Sequence, residues 1–487
     1  MLERADRWPL AALLAVSAFI LILTFPRWAY IGDPYWMRAQ AQAWLEGRGD
    51  VPAQYADDLE VGQYCYRNPQ TGLYYSKYGL ANSLCMAPVV WLWNREGISA
   101  YQSQVGNKAV AILNFYNLLW ALAIAGLTYL GGRLWGYNPW LVALWSFLCL
   151  FSGFGWNYLR AQNGEIFQWA GALLFFYGAA RLWLQSAAPS SERWAWLSLW
   201  LGLALLVFLK ASYWLLLPCW LTLYLWPQER EKRGAQILEN LRRPALWGPL
   251  LAILALFLAT NYWRFGGVFN TGYTQWSREA QAFSGSLWEG VTGYLWSADK
   301  GLFWHWPLLA LALWGWPQFI KKFPRPALLV ASCALVMLLL NSKFVNWGGH
   351  WCYGPRYMLF ILVPASWPAL ELGAYLYRER ARWRERLATL GIGALLAYST
   401  YLQIQVNGLE FFTYYRVERL TTLYVTPQAN REYARRHFGV IYGELANFQR
   451  RGVYPPWLLT ASRESPQAAA QLPLLLRQIV VSNYYWF

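Results

Sequence analysis

The sequence predicts an all-α membrane protein whose chain crosses the bilayer many times. Apolar runs of about 16 to 25 residues recur along most of its length. Only 14% of its residues are charged, against about 25% in soluble globular chains. It carries 34 tryptophans and 33 tyrosines, and both residue types favour membrane interfaces.

Apolar spans are expected near 8–26, 107–131, 138–152, 164–183, 193–208, 211–226, 245–263, 303–320, 326–341, 355–376 and 387–403. In the first, Arg4 and Arg7 precede the apolar run, as in a signal peptide. No small-x-small cleavage site follows; "TFPRWAYIGD" does, which reads as an uncleaved first membrane helix. A further apolar stretch, 78–94 ("YGLANSLCMAPVVWLWN"), is ambiguous, and charge decides it. The loops "QEREKRGAQILENLRRP" after 226, "KKFPRP" after 320 and "YRERARWRER" after 376 are strongly basic. The positive-inside rule puts all three in the cytoplasm. With the N-terminus also inside, that holds only if 78–94 does not span. It is therefore expected to be a re-entrant or interfacial helix on the outer face.

The expectation is about eleven spans, with the N-terminus cytoplasmic and the C-terminus extracytoplasmic. The outer segments are then 27–106, 153–163, the turn at Lys210, 264–302, 341–354 and 404–487. Residues 1–403 form the transmembrane module. Residues 404–487, with aromatic and basic residues around His437, carry no catalytic motif. They are near the low end of domain size and read as a small extracytoplasmic cap on the helices.

The formal net charge is +16. Its basic residues sit mostly in short loops between apolar runs, so they fit topology control and anionic lipid rather than nucleic acid. The six cysteines show no CxxC and no metal-ligand spacing, which argues against a zinc site. No cofactor is expected, and any metal requirement stays open.

The first outer segment opens "YIGDPYWMRAQAQAWLEG". Tyr35, Trp36, Ala39, Ala43 and Trp44 recur at helical spacing, which predicts an amphipathic helix lying on the membrane. Asp33 fits its N-cap, with Pro34 in the first turn. The other outer segments each bring a cation to a helix end: Lys77, Arg160, Lys210, Arg264, Lys300, Lys343 and Arg356. Outer loops are normally poor in Lys and Arg. One such residue is explained as an interfacial anchor, but seven on one face, several beside glycines, point to a shared anion. Phosphate suits them, because Arg and Lys recognise it and glycine lets backbone N–H groups approach it. An anion embedded in the outer leaflet is a lipid phosphate. In "NSKFVNWGGHWCYGPRY" (341–357), Lys343, His350 and Arg356 would grip it, with Arg356 at a helix start. Facing these cations, Asp33 would act as a base toward an acceptor hydroxyl, with Glu165 as a second carboxylate. Tyr35, Trp36, Trp347, Trp351 and Tyr353 are the aromatics available to stack on a sugar or acceptor.

These segments resemble the GT-C superfamily of membrane glycosyltransferases, in particular the protein O-mannosyltransferase and aminoarabinose transferase group. The resemblance covers roughly residues 8–403 and rests on "YIGDPYWM", "YYSKYGLANSLCMAPV", "YLRAQNGE", "NYWRFGGVFNTGY", "DKGLFWHWPLLALALWG" and "NWGGHWCYGPRYMLFILVP". It implies a GT-C helical bundle and an inverting transfer of sugar from a polyprenyl-phosphate donor. It also implies an acidic residue of the first outer loop as the catalytic base, a role that maps onto Asp33. Many relatives have Gly-Asp-Glu at this point; here Gly32-Asp33-Pro34 lacks the neighbouring acid, leaving Asp33 alone or with Glu165. The bacterial relatives imply the inner membrane as the location, and the acceptor is a protein, glycan or lipid. The competing expectation is a lipid-phosphate transporter or a non-catalytic lipid-binding scaffold. The absence of an internal repeat, and charges gathered at one face rather than mid-membrane, favour the enzyme.

Overall fold

The computed structural model describes residues 4–409 except 27–28, 30–32, 56–63, 103–104, 161–163, 185–188, 227–232, 275–276, 278–280, 298–299, 346 and 349–353. Nearly all of the expected C-terminal cap, and the expected residues His350, Trp351 and Tyr353, lie outside the described residues.

Helices occupy every segment expected to span. They are α1 (Arg7–Leu23), α4 (Asn107–Arg133), α5 (Pro139–Phe151), α7 (Gly164–Trp183), α8 (Pro189–Leu209), α9 (Leu216–Leu225) and α11 (Pro244–Phe265). After them come α13 (Leu302–His305), α14 (Pro307–Lys322), α15 (Pro324–Ser342), α16 (Leu359–Ser366), α17 (Ala369–Arg378) and α18 (Trp383–Leu409). Between them lie α2 (Asp33–Leu45), α3 (Leu80–Arg95), α6 (Gly155–Arg160), α10 (Arg233–Leu241) and α12 (Leu287–Trp296). Among the described residues, six helical stretches are long and apolar enough to cross a membrane on their own: Arg4–Leu23, Asn107–Arg133, Glu192–Leu209, Pro244–Phe265, Pro324–Ser342 and Arg356–Arg378.

The segment expected to be re-entrant is α3. It has 16 residues, as many as α14 on a segment expected to span. It packs on α2, α4 and α8.

Two features of the first long loop differ from expectation. Helix α2 does not have a lipid-facing and a water-facing side. Trp36, Ala39 and Ala41 are buried, and so are Arg38 and Gln40. Gln40 shows why: its amide donates to the Gly49 carbonyl at 3.0 Å and accepts from the Ser76 amide at 3.0 Å. Polar groups that read as a solvated face are satisfied inside the protein instead. The second feature is a small hairpin in an otherwise helical chain. Strand β1 (Cys65–Arg67) pairs antiparallel with β2 (Tyr74–Ser76), Cys65 opposite Ser76 and Arg67 opposite Tyr74. Gly72, at φ +72°, closes the turn in the left-handed region that glycine adopts without strain.

The bundle is tightest between α7 and α8. A Cβ on Gly178 would stand 2.6 Å from the Ala195 carbonyl, and one on Gly202 would stand 2.6 Å from the Gly171 carbonyl. Small residues thus bring the two backbones together, as is common between membrane helices. The pairing is antiparallel, so the start of α7, with Glu165, lies beside the end of α8, just before Lys210.

The two ends of the bundle have different chemistry. At one end the start of α1 meets the end of α4: Asp6 accepts from Arg133 at 2.5 Å and from Tyr129 at 2.9 Å. Lys322 pairs with Glu371 at 2.7 Å, and Arg325 donates to the Trp226 carbonyl. These contacts gather the edges of the basic loops predicted to be cytoplasmic. The other end gathers the end of α1, the starts of α2, α3 and α7, the ends of α8 and α11, and Arg356.

Candidate active site

At that second end, two carboxylates face three cations. Asp33 is the first residue of α2 and is half-buried. Its Oδ1 accepts a hydrogen bond from the Tyr78 hydroxyl. Lys77, only 6% exposed, acts electrostatically on Asp33. Its amine lies over the rings of Tyr273 (5.1 Å), Tyr64 (5.7 Å) and Tyr78 (5.9 Å). An ammonium over three ring faces is held by their quadrupoles while it loses water. Burial brings Lys77 down to about 8, against the pull of Asp33. Burial pushes the Tyr78 phenol well up, and the charge of Asp33 adds to this. Tyr78 therefore stays protonated and is the donor in its bond to Asp33.

Glu165 lies in the first turn of α7. Its Oε1 is 3.7 Å from Arg356 Nη1, and it also feels the charges of Asp33 and Lys210. Arg356 opens the 3-10 turn Arg356–Met358 that leads into α16. Gly354, at φ +63°, brings the chain to that turn; a Cβ there would lie 2.7 Å from the Phe154 ring. Arg356 lies over the Tyr357 ring at 4.9 Å and donates to its hydroxyl at 3.1 Å. The Lys210 amine lies over the same ring at 4.3 Å. Burial, helped by nearby Arg356 and opposed by Glu165, lowers Lys210 to about 8. Tyr273 links the two halves, since its phenol feels Asp33, Tyr357, Arg356 and Glu165.

Beside this cluster a small cleft of about 30 Å³ is lined by Lys210, Arg264 and Tyr273 and by the apolar Leu80, Val207 and Phe257.

Of the residues expected from sequence, the structure brings together Asp33, Glu165, Lys77, Lys210 and Arg356. The other described ones are engaged elsewhere. Arg264, 2% exposed, donates from Nη2 to the carbonyls of Ser76 and Tyr78 at 2.5 and 2.9 Å. Arg160, 4% exposed, donates to the Asn407 carbonyl at 2.5 Å, tying α6 to α18. Lys343 is exposed and donates to the Gly285 carbonyl at 2.9 Å. Lys300 is buried, its side chain running along Gly348. Tyr35 donates to the Tyr101 carbonyl at 3.0 Å. Trp347 packs on α12: its ring lies 5.4 Å from that of Tyr294, whose hydroxyl donates to the Trp347 carbonyl at 2.5 Å. Among the described residues no group of three or more His, Cys, Asp or Glu could hold a metal ion.

Sequence reasoning missed Tyr78, Tyr273 and Tyr357. Two of them directly follow a site cation, in Lys77-Tyr78 and Arg356-Tyr357.

The fold and this cluster define a helical membrane protein with an acid–cation site at one end of its bundle. Its fold is shared with a solved membrane-enzyme structure. Among solved structures it resembles ArnT from Cupriavidus metallidurans bound to undecaprenyl phosphate, with a TM-score of 0.50 and 13% identity over 97% of this chain and 73% of that one. It is also similar to the archaeal oligosaccharyltransferase AglB from Archaeoglobus fulgidus, in complex with an inhibitory peptide and a dolichol-phosphate. There the TM-score is 0.47 and the identity 14%, over 88% of this chain and 59% of that one. No protein family and no curated protein sequence matches this chain.

Proposed function

We propose that the protein is an inverting glycosyltransferase that moves a sugar from a polyprenyl-phosphate donor to an acceptor hydroxyl at the extracytoplasmic face. One observation carries the reading: Asp33 and Glu165 share a largely half-buried cluster with Lys77, Lys210 and Arg356. ArnT, whose fold this chain has, is a structure with undecaprenyl phosphate bound, which supports a polyprenyl phosphate here. Lys210 and Arg356, both over the Tyr357 ring, are the cations proposed to meet its phosphate.

In the proposed reaction the acceptor oxygen attacks the anomeric carbon from the face opposite the phosphate. Asp33 takes the acceptor's proton as the new C–O bond forms. The old C–O bond breaks with its electron pair passing to the phosphate oxygen, and polyprenyl phosphate leaves. Arg356, Lys210 and Lys77 stabilise the charge that grows there, and such electrostatic help acts most strongly where water is excluded. Glu165 holds Arg356 in place and offsets part of the cationic charge before the donor arrives.

The side of the membrane follows from charge. The basic loops join at the end opposite the site, and the positive-inside rule puts that end in the cytoplasm. A bacterial inner membrane, with the N-terminus inside, fits this arrangement.

The test is a donor-consumption assay. Purified protein is given a synthetic polyprenyl-phosphate sugar and a cell-envelope extract, and released polyprenyl phosphate is measured by mass spectrometry. Release coupled to a glycosylated acceptor is expected. Unchanged donor with every extract and every sugar tried would count against the reading and favour a lipid-phosphate carrier.

A further inference from the structure

Resting on that reading, we infer that Tyr78 is the positioning residue for the Asp33 carboxylate, and that Arg264 holds Tyr78 in place through its main chain. A carboxylate at the first position of a helix has a rotatable side chain, and a general base needs one oxygen fixed toward the proton it will take. The Tyr78 hydroxyl occupies Oδ1. Oδ2 is then the oxygen turned to the acceptor.

The contacts around Tyr78 make it a rigid donor. Its ring meets that of Tyr273 edge-on, with centroids 6.1 Å apart at 81°. Its carbonyl accepts from Arg264 Nη2 at 2.9 Å, and the same nitrogen reaches the Ser76 carbonyl. Its amide donates to Ser76 Oγ at 3.4 Å. The next residue, Gly79, is wedged against the end of α8: a Cβ there would overlap the Phe208 carbonyl oxygen and come within 2.6 Å of that of Leu209. Asn82 Nδ2 donates to the Leu209 carbonyl at 3.1 Å. Helices α3, α8 and α11 thus converge on one short stretch, Ser76–Gly79. Arg264 sits at the end of α11, 186 residues along the chain from Tyr78. A guanidinium presents several donors in a fixed plane, which suits it to clamping two carbonyls in succession. This accounts for a buried cation at a site that sequence alone assigns to phosphate.

The charged and titratable groups facing Asp33 are Lys77 and Tyr78 from the segment before α3, Tyr273 from the segment after α11, and Glu165 from α7.

Tyr78→Phe keeps the ring beneath the Lys77 amine and removes only the hydroxyl. Its expected effect is a fall in kcat of about 10- to 100-fold with donor KM within about twofold. Arg264→Gln should lower kcat in the same way by loosening the carbonyl clamp. In the Asp33→Asn background Tyr78→Phe should cost no further rate, because the carboxylate it positions is gone. A kcat unchanged in Tyr78→Phe, or a fall of the same size in the Asp33→Asn background, overturns the inference. If Asp33→Asn alone keeps full turnover, it is the proposed reaction that fails.

Discussion

Replacing Arg356 with Gln separates the structural and the catalytic worth of one residue. Arg356 and Glu165 are 3.7 Å apart, with side-chain exposures of 22% and 14%. Breaking a buried ion pair on one side costs about 3–5 kcal/mol. This pair is longer than a hydrogen bond, and Lys210 remains as a second cation acting on Glu165. The loss of stability should therefore fall below that range, at about 2–3 kcal/mol. The effect on rate is distinct: removing a donor that stabilises developing charge costs about 10²–10³ in kcat, or roughly 3–4 kcal/mol of activation energy. The double variant Arg356→Gln/Glu165→Gln no longer leaves a carboxylate unpaired, so it should regain most of the stability and none of the rate. Thermal unfolding of the purified protein and release of polyprenyl phosphate read the two quantities side by side. If the double variant regains kcat along with stability, or if Arg356→Gln alters only KM, the argument that Arg356 meets the leaving phosphate is refuted.

Three further outcomes follow from the same geometry. Lys77 and Lys210, lowered by burial to about 8, carry their charge below that pH and lose it above. Donor affinity should fall from about pH 7 to about pH 9, and Lys77→Arg should move that fall upward; a flat profile would show that neither amine meets the phosphate. Gly79→Ala pushes a methyl group into the end of α8, so it should cost about 1–3 kcal/mol of stability, seen as a lowered unfolding temperature. Trp347→Ala removes a ring packed on Tyr294 and Gly293. It should cost about 3 kcal/mol of stability with little change in KM, whereas a large KM change would return Trp347 to the sugar site.

The helices were legible because hydropathy and length report the bilayer directly. Charge alone led to the expectation that α3 does not span; its 16 residues equal those of α14, so length does not decide it. The hairpin β1–β2 was not legible, since strands of three residues leave no periodicity to read. Asp33, Glu165, Lys77, Lys210 and Arg356 could be found because charge is scarce in this chain and helix ends are its natural places. The same rule also selected Arg160 and Arg264, which donate to backbone carbonyls. Charge at a helix end does not tell a ligand-binding arginine from one that clamps carbonyls; only the contacts do. Tyr78, Tyr273 and Tyr357 were hidden for the opposite reason. With 33 tyrosines in the chain, a tyrosine beside a cation carries little information until the fold puts its ring beneath the amine. Helix α2 was misread as a surface helix because its glutamines look solvent-facing until Gln40 is seen bonding to Gly49 and Ser76.

The most direct test of the account is the turnover of Asp33→Asn at saturating donor. Asparagine preserves size and can still accept from Tyr78, so folding and donor binding should be retained. A general base contributes about 10²–10⁴ in rate, and release of polyprenyl phosphate should fall by that much. Turnover close to that of the unaltered protein would contradict the account and leave Asp33 as no more than the first residue of α2.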